Sequence, residues 1–288
     1  MRQQLSKGIL SKEEQEKLLA QIAENTKVQA VKIKAEEAEN LALTASKFGG
    51  IPYWNSKEKE YPTDTEGEKL WLLAQINCSE VPALSDFPQT GLLQFFVSGG
   101  DLTGLDFDNP ISQKGWRVVY WENVDTSISK DDILSQNIPT TITADEDEEH
   151  YLPIYDGEYA LTFTLTETSM GVHCYQFDSE MRKAGEELGL NIPEDKEWWE
   201  ISDIGYDEEA ENAGDELNSG HWIGGYPFFT QYDPRDENRF PDYTFLLLQM
   251  DTDGGIMWGD AGVGNFFITQ EDLKNKDFSK VLYNWDCC

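Results

Sequence analysis

The hydrophobic pattern at the start of the chain predicts a helix. Apolar residues recur at intervals of three and four positions as far as Leu41, with polar residues between them. Ser11 and Glu14 have the spacing of a capping box, in which two side chains satisfy backbone donors at a helix start. The charges here alternate in sign, as they do on a solvated helix face. We therefore predict a helical arm over residues 1–46.

Beyond residue 46 the pattern changes to short apolar runs bounded by glycine and proline, which is typical of buried strands. The predicted strands include Leu72–Gln75, Gly91–Val97, Trp116–Trp121, Ala160–Leu165, Leu246–Gln249 and Gly262–Ile268. Further helices are predicted over Met181–Leu190, Glu194–Ile201 and Glu271–Tyr283. This mixture predicts the α+β class.

Three sequence blocks occur twice, in the same order and at nearly the same spacing. The first contains Gly-Gly-x-Pro and lies at Phe48–Trp54 and at Ile223–Phe229. The second ends in Gln75 or Gln249, which lie 26 and 25 residues after the first glycine of their blocks. The third has the pattern Gly-x-x-amide-Phe-Phe-aliphatic. An internal duplication explains this order, and it predicts two similar β-rich halves around a pseudo-two-fold axis.

Each copy of Gly-Gly-x-Pro is predicted to form a turn with unusual backbone angles. Glycine reaches positive φ without a steric penalty, and proline holds φ at roughly −65°. The residues assigned to these structural turns are Gly49, Gly50, Pro52, Gly224, Gly225 and Pro227.

A single compact domain is predicted, because each β-rich half alone would be too small to bury its apolar face. Its predicted parts are a helical arm (1–46), a first half-repeat (47–130), an acidic connecting region (131–220), and a second half-repeat with a closing helix (221–288).

The net charge is unusual, because 22 Lys and Arg against 55 Asp and Glu give −33. Residues 131–220 alone carry 25 acidic and three basic residues. Nucleic acids and anionic membranes both require a basic surface, so neither is an expected partner. Nine tryptophans and an aromatic content of 12% argue against a disordered acidic tail. The charge indicates either a basic protein partner or simply an acidic proteome.

The sequence indicates a cytoplasmic protein. It has no apolar run of about 18 residues that could span a membrane. Its first residues lack the apolar stretch of a signal peptide. Four cysteines without framework spacing indicate free thiols in a reducing compartment.

Several motifs together resemble a known family. They are Ser46–Trp54, Leu73–Asn77, Phe87–Phe96, Gln113–Tyr120, Ile223–Pro227, Leu247–Asp251 and Trp258–Val263. The chain resembles the YwqG-like family, a bacterial domain of unknown function (DUF1963), over roughly residues 41–285. The resemblance implies a compact α+β unit in the bacterial cytoplasm, with no established catalytic residues. It also implies a genomic association with immunity proteins of toxin systems.

The patterns of common catalytic and metal sites are missing from the sequence. It has no G-x-S-x-G elbow, no C-x-x-C or H-x-x-x-H spacing and no phosphate-binding glycine loop. His173 and Cys174 are adjacent, and neighbours on a strand point to opposite faces. We expect no catalytic residue, no metal, no cofactor and no enzyme activity. Asp251–Gly255 begins like a calcium loop without its later ligands, so calcium binding is left open.

Two groups of side chains are candidates for binding. Gln75 and Gln249 either bond to the neighbouring turns or line a symmetric ligand cleft, because a buried amide must be paired. Trp198 and Trp199 lie among carboxylates and are candidate interface anchors, with one of the two expected to face the core. The charged candidates are Asp145, Asp147 and Glu149.

Two function classes follow from these features. The first is a non-enzymatic interaction factor for a basic protein partner, of which an immunity protein is the example that the resemblance implies. The alternative is a small-ligand or carbohydrate-binding module with a cleft between the two half-repeats. The oligomeric state does not follow from the sequence.

Overall fold

The computed structural model describes residues 10–142, 151–202 and 218–288. Within these ranges the chain forms five α-helices and ten strands. The helices are α1 (Lys12–Asn25), α2 (Lys130–Leu134), α3 (Phe177–Leu188), α4 (Trp198–Ile201) and α5 (Gln270–Asn275). The strands are β1 (Val28–Ala38), β2 (Lys47–Gly49), β3 (Trp71–Asn77), β4 (Leu92–Val97), β5 (Trp116–Trp121), β6 (Glu158–Thr168), β7 (His221–Gly224), β8 (Phe245–Asp251), β9 (Val263–Ile268) and β10 (Leu282–Asp286).

The ten strands form one curled antiparallel sheet, a half-barrel, in the order β10-β9-β8-β7-β1-β6-β2-β3-β4-β5. The outer strands on each side follow one another in sequence, so β2–β5 and β7–β10 are two antiparallel meanders. The mixed α and β composition that the sequence predicts is therefore present.

The chain divides into two compact units. The sheet-bearing unit comprises Ala30–Thr166, Gly220–Gly224 and Asp242–Cys288. The helical unit comprises the described parts of Met1–Gln29, Glu167–Ser219 and Gly225–Pro241. Each unit has its own apolar core. The sheet-bearing core includes Phe48, Phe95, Trp116, Phe266 and Tyr283, and the helical core includes Leu18, Ile22, Phe177, Met181 and Trp198.

Of the helical arm predicted over residues 1–46, the described part of the structure shows a helix only at Lys12–Asn25. Helix α1 has the expected capping box between Ser11 and Glu14. The prediction is wrong for Val28–Ala38, which is strand β1. Val31 and Ile33 are buried, and Lys32 and Lys34, which alternate with them, are exposed. This two-residue alternation suits a sheet, and β1 pairs with β7.

Two other helix predictions need correction at their boundaries. The helix expected from Glu194 begins only at Trp198, because Glu197 is extended and serves as its N-cap. The closing helix ends at Asn275, where Lys276 takes a left-handed conformation with φ of 55°. The following apolar residues form β10, which pairs with β9. The strand predictions agree with β3, β4, β5, β6, β8 and β9.

The two meanders share their hydrogen-bond register. In the first, the pairing shifts between Leu72 and Ala74, after which Gln75 lies opposite Gln94. In the second meander, the pairing shifts between Leu246 and Leu248, after which Gln249 lies opposite Asn265. A β-bulge of this kind re-aims the side chains that follow it. Both meanders therefore place a buried amide pair at the same position after a bulge.

Both glycine turns have the predicted backbone conformation. Gly49 and Gly50 have φ of 65° and 74°, and Gly224 and Gly225 have φ of 72° and 73°. Other residue types occupy this left-handed region only with strain. The turns follow β2 and β7, where Pro52 and Pro227 are buried.

Replacing Gly50→Ala should destabilise the protein by roughly 2–4 kcal/mol in urea unfolding. A Cβ there would lie 2.6 Å from Oε2 and 2.8 Å from Cβ of Glu158, besides straining the backbone. Gly67→Ala is the matched control, because Gly67 also has positive φ but nothing lies within 4 Å of the added Cβ. It should cost only the strain, about 1 kcal/mol. Equal losses in the two variants would contradict this packing argument.

Candidate functional site

Gln75 is fully buried and uses its whole side-chain amide within the protein. Its Nε2 donates to the carbonyl oxygens of Leu43 and Ala45, each at 2.9 Å. Its Oε1 accepts from the backbone N–H of Tyr53 at 2.9 Å and from Nε2 of Gln94 at 2.8 Å. Two donors and two acceptor positions are thus satisfied. Gln75 ties the end of the Gly-Gly-Pro turn to the sheet.

The amide of Gln94 extends this network. Its Nε2 also donates to the carbonyl of Tyr53 at 2.7 Å, and its Oε1 accepts from the indole Nε1 of Trp121 at 2.6 Å. Gln249 is equally buried, and its Nε2 donates to the carbonyl of Gly220 at 2.8 Å. Neither Gln75 nor Gln249 has exposed surface that a ligand in a cleft could touch.

The adjacent tryptophans of α4 lie in different environments, as expected. Trp198 is buried, and its ring packs edge-on against Phe177 at 5.6 Å between centroids. Trp199 is 62% exposed, and its Nε1 donates to the carboxylate of Glu197 at 2.5 Å. Trp198 is therefore a core residue, whereas Trp199 offers a large apolar surface to solvent.

A polar cavity of about 870 Å³, which we call the acidic cleft, lies within the helical unit. Two tyrosines, Tyr175 and Tyr226, contribute to its wall, and burial raises the pKa of Tyr226. The cations in the lining are Arg182 and Lys183. The carboxylates in the lining are Asp178, Glu180, Glu197, Asp236 and Glu237.

The two cations of the acidic cleft are already engaged. Lys183 pairs with Glu180 at 3.2 Å. The guanidinium of Arg182 donates to the carbonyls of Asp178 and Lys196, each at 3.1 Å. Glu197, by contrast, is exposed, lines the cleft and accepts the hydrogen bond from Trp199. The cleft therefore has an excess of negative charge with an exposed indole bonded to its rim.

The remaining charged candidates, Asp145, Asp147 and Glu149, lie outside the described residues.

The histidine and cysteine side chains of the described residues show no activated nucleophile. His173 and Cys174 lie in a turn rather than on the expected strand. Burial raises the pKa of the Cys174 thiol to about 12, which keeps it protonated. His221 is 2% exposed, and its Nδ1 accepts from the backbone N–H of Asp251 at 2.9 Å. Within the described residues, no group of three His, Cys, Asp or Glu side chains could hold a metal ion.

The comparison with known families agrees with the motifs. The sequence matches the family described as "Domain of unknown function (DUF1963)" over residues 46–287, which is most of the chain. The chain belongs to this family. No curated protein matches it. None of the helices in the described ranges has the length and apolar character needed to cross a membrane.

His221 should make the protein less stable in acid. Burial lowers its pKa from the ordinary value of 6.5 to about 4 in the folded state, although the charge of Asp253 opposes this. Between these two pH values the unfolded chain binds a proton that the folded chain does not. Stability is therefore lost as pH falls through this window, by about 3 kcal/mol in total.

The measurement is urea unfolding between pH 7 and pH 4, with His221→Asn as the comparison. Asparagine keeps an acceptor for the N–H of Asp251 but does not titrate. The variant should lose less stability than the wild type over this range. If the free energy of unfolding falls equally with pH in the variant and in the wild type, the loss cannot be assigned to His221.

Proposed function

We propose that this chain is a non-enzymatic binding protein that takes a basic side chain of a protein partner into its acidic cleft. This proposal rests on the excess of carboxylates in that cleft beside the exposed indole of Trp199. An arginine or lysine of the partner would replace water around these carboxylates with charge-assisted hydrogen bonds. The aliphatic part of the same side chain would pack on the aromatic surface.

Glu197 gives the proposed site its geometry. It is the residue that both lines the cleft and holds Trp199 through the Nε1 hydrogen bond. Aromatic residues that combine apolar area with a polar contact are frequent anchors of protein interfaces. Trp199 is therefore the proposed anchor, and Glu197, Asp236 and Glu237 are exposed carboxylates of the neighbouring cleft.

The proposed setting is the bacterial cytoplasm, and the proposed partner is a basic protein such as a toxin nuclease. A nuclease needs a cationic groove for its own substrate, and a strongly acidic protein can neutralise that groove. The net charge of −33 supports this proposal because it would also accelerate association. An immunity role of this kind is the one that the family resemblance of the motifs implies.

We also propose that the sheet-bearing unit arose by duplication. The support is the equivalent bulge in β3–β4 and β8–β9, together with the paired glycine turns. The alternative function, binding of a small ligand or carbohydrate, requires a cleft between the half-repeats. Gln75 and Gln249 do not support such a cleft, since both amides are buried.

The proposed function is tested by titrating the protein with a hexa-arginine peptide. Trp199→Ala should weaken binding about tenfold, because it removes the aromatic anchor. The double variant Glu197→Gln and Glu237→Gln should weaken it by a similar factor, because it removes two charges from the cleft. Isothermal titration calorimetry at low and high salt gives the dissociation constants, and binding should weaken steeply with salt.

The matched control is the double variant Glu16→Gln and Glu186→Gln. It removes the same charge from exposed positions of the helical unit that do not line the cleft. This control should bind like the wild type. If the control and the cleft variant weaken peptide binding equally, only the total charge of the protein matters. That result would contradict the proposed site.

A further inference from the structure

A cationic groove of about 600 Å³ lies in the sheet-bearing unit of this acidic protein. Lys59, Arg117 and Lys276 contribute to its lining, and Glu60 is the carboxylate that lines it. Only 22 of the 288 residues are lysine or arginine, so three of them in one groove is a local reversal of the overall charge. The volume is in the usual range for small-molecule sites.

Arg117 is held in the groove by a buried support. Its Nε and Nη2 donate to the carbonyl oxygen of Gln113 at 3.3 and 3.1 Å. Gln113 is buried and has a positive φ of 49°. Its own side chain donates to the carbonyl of Phe278 at 2.8 Å and accepts from the N–H of Val118 at 2.9 Å. These two bonds hold Gln113 in place, and its backbone carbonyl oxygen orients the guanidinium of Arg117.

The guanidinium of Arg117 keeps unused donors. Across the described ranges it forms no ion pair, and its hydrogen bonds come from Nε and Nη2, so Nη1 makes none. The residue is partly exposed. A planar guanidinium with free N–H groups at a groove is suited to a carboxylate or phosphate, which it can contact through two oxygens.

The two lysines are held at the same strand, β5. The Nζ of Lys59 donates to the carbonyl of Tyr120 at 2.7 Å and lies 4.6 Å from the ring centroid of Trp121. The Nζ of Lys276 lies 5.7 Å from the ring centroid of Tyr120 and pairs with Glu122 at 2.9 Å. Both ammonium groups retain N–H donors beyond these bonds. All three cations are therefore tied to β5 or to the residues that flank it.

The sheet does not require a cation at the position of Arg117. Arg117 lies opposite Phe96 in β4, and in the other meander Leu282 lies opposite Phe267. Leu282 is fully buried. The same register position thus accepts an apolar residue, so the charge of Arg117 needs an explanation beyond strand pairing.

We propose that this groove binds a small molecule with two or more oxyanion charges, carried by phosphate or carboxylate groups. Arg117 provides the two-point contact, and Lys59 and Lys276 supply further positive charge. This site lies in the sheet-bearing unit and is independent of the proposed acidic cleft.

The test is calorimetric titration of the full chain with pyrophosphate, citrate and inorganic phosphate. Saturable binding of pyrophosphate or citrate is expected, with inorganic phosphate weaker because it offers fewer charges. Tighter binding of pyrophosphate than of citrate would indicate a phosphate ligand, and the reverse would indicate a carboxylate ligand. Arg117→Gln and Lys276→Gln should each weaken the better probe about tenfold.

Lys34→Gln is the matched control, since Lys34 is an exposed lysine of β1 outside the groove. It should bind like the wild type, as should Trp199→Ala, which alters the helical unit. If Arg117→Gln unfolds, Lys276→Gln still decides the outcome, because Lys276 sits at the exposed end of α5. The proposal fails if no probe saturates, or if the groove variants and Lys34→Gln bind alike.

Discussion

The pairing of buried amides with the glycine turns is the constraint on which the sheet depends. Gln75 and Gln94 are both fully buried, so each amide must be satisfied inside the protein. The backbone of Tyr53 supplies both a donor and an acceptor, at 2.9 and 2.7 Å. It reaches them because Gly49 and Gly50 turn the chain with positive φ. Turn, amide pair and strand register therefore stabilise one another, and loss of any one leaves the others with unpaired polar groups.

The local sequence was sufficient to predict an element of the fold where one segment contained the whole pattern for it. The glycine turns, the capping box at Ser11 and most strands could be predicted because their own residues limit the backbone. Strand β1 could not, because Val31 and Ala35 fit helical spacing while Val31 and Ile33 fit strand spacing. Its partner in β7, far along the chain, decides between the two.

The candidate sites were predictable only in part, for the same reason. Trp198 and Trp199 are adjacent, so one buried and one exposed ring could be expected from helix geometry. The cationic groove could not be expected, because Lys59, Arg117 and Lys276 are distant in sequence. Contacts of Lys59 and Lys276 with β5 and the residue that follows it bring the three cations together, and no local sequence pattern marks them. A net charge also conceals such local reversals, since an average over the chain says nothing about one groove.

The central place of β1 in the sheet determines when the sheet can be completed during synthesis. The first meander, β2–β5, pairs among neighbours in sequence and needs nothing made after residue 121. Strand β1, although made first, lies between β6 and β7, so its edges remain open until residues 158–168 and 221–224 have left the ribosome. An unpaired strand with apolar residues such as Val31 and Ile33 can pair with the wrong strand. Lys32 and Lys34, which alternate with them, are exposed, and charged side chains at such positions disfavour wrong strand pairing.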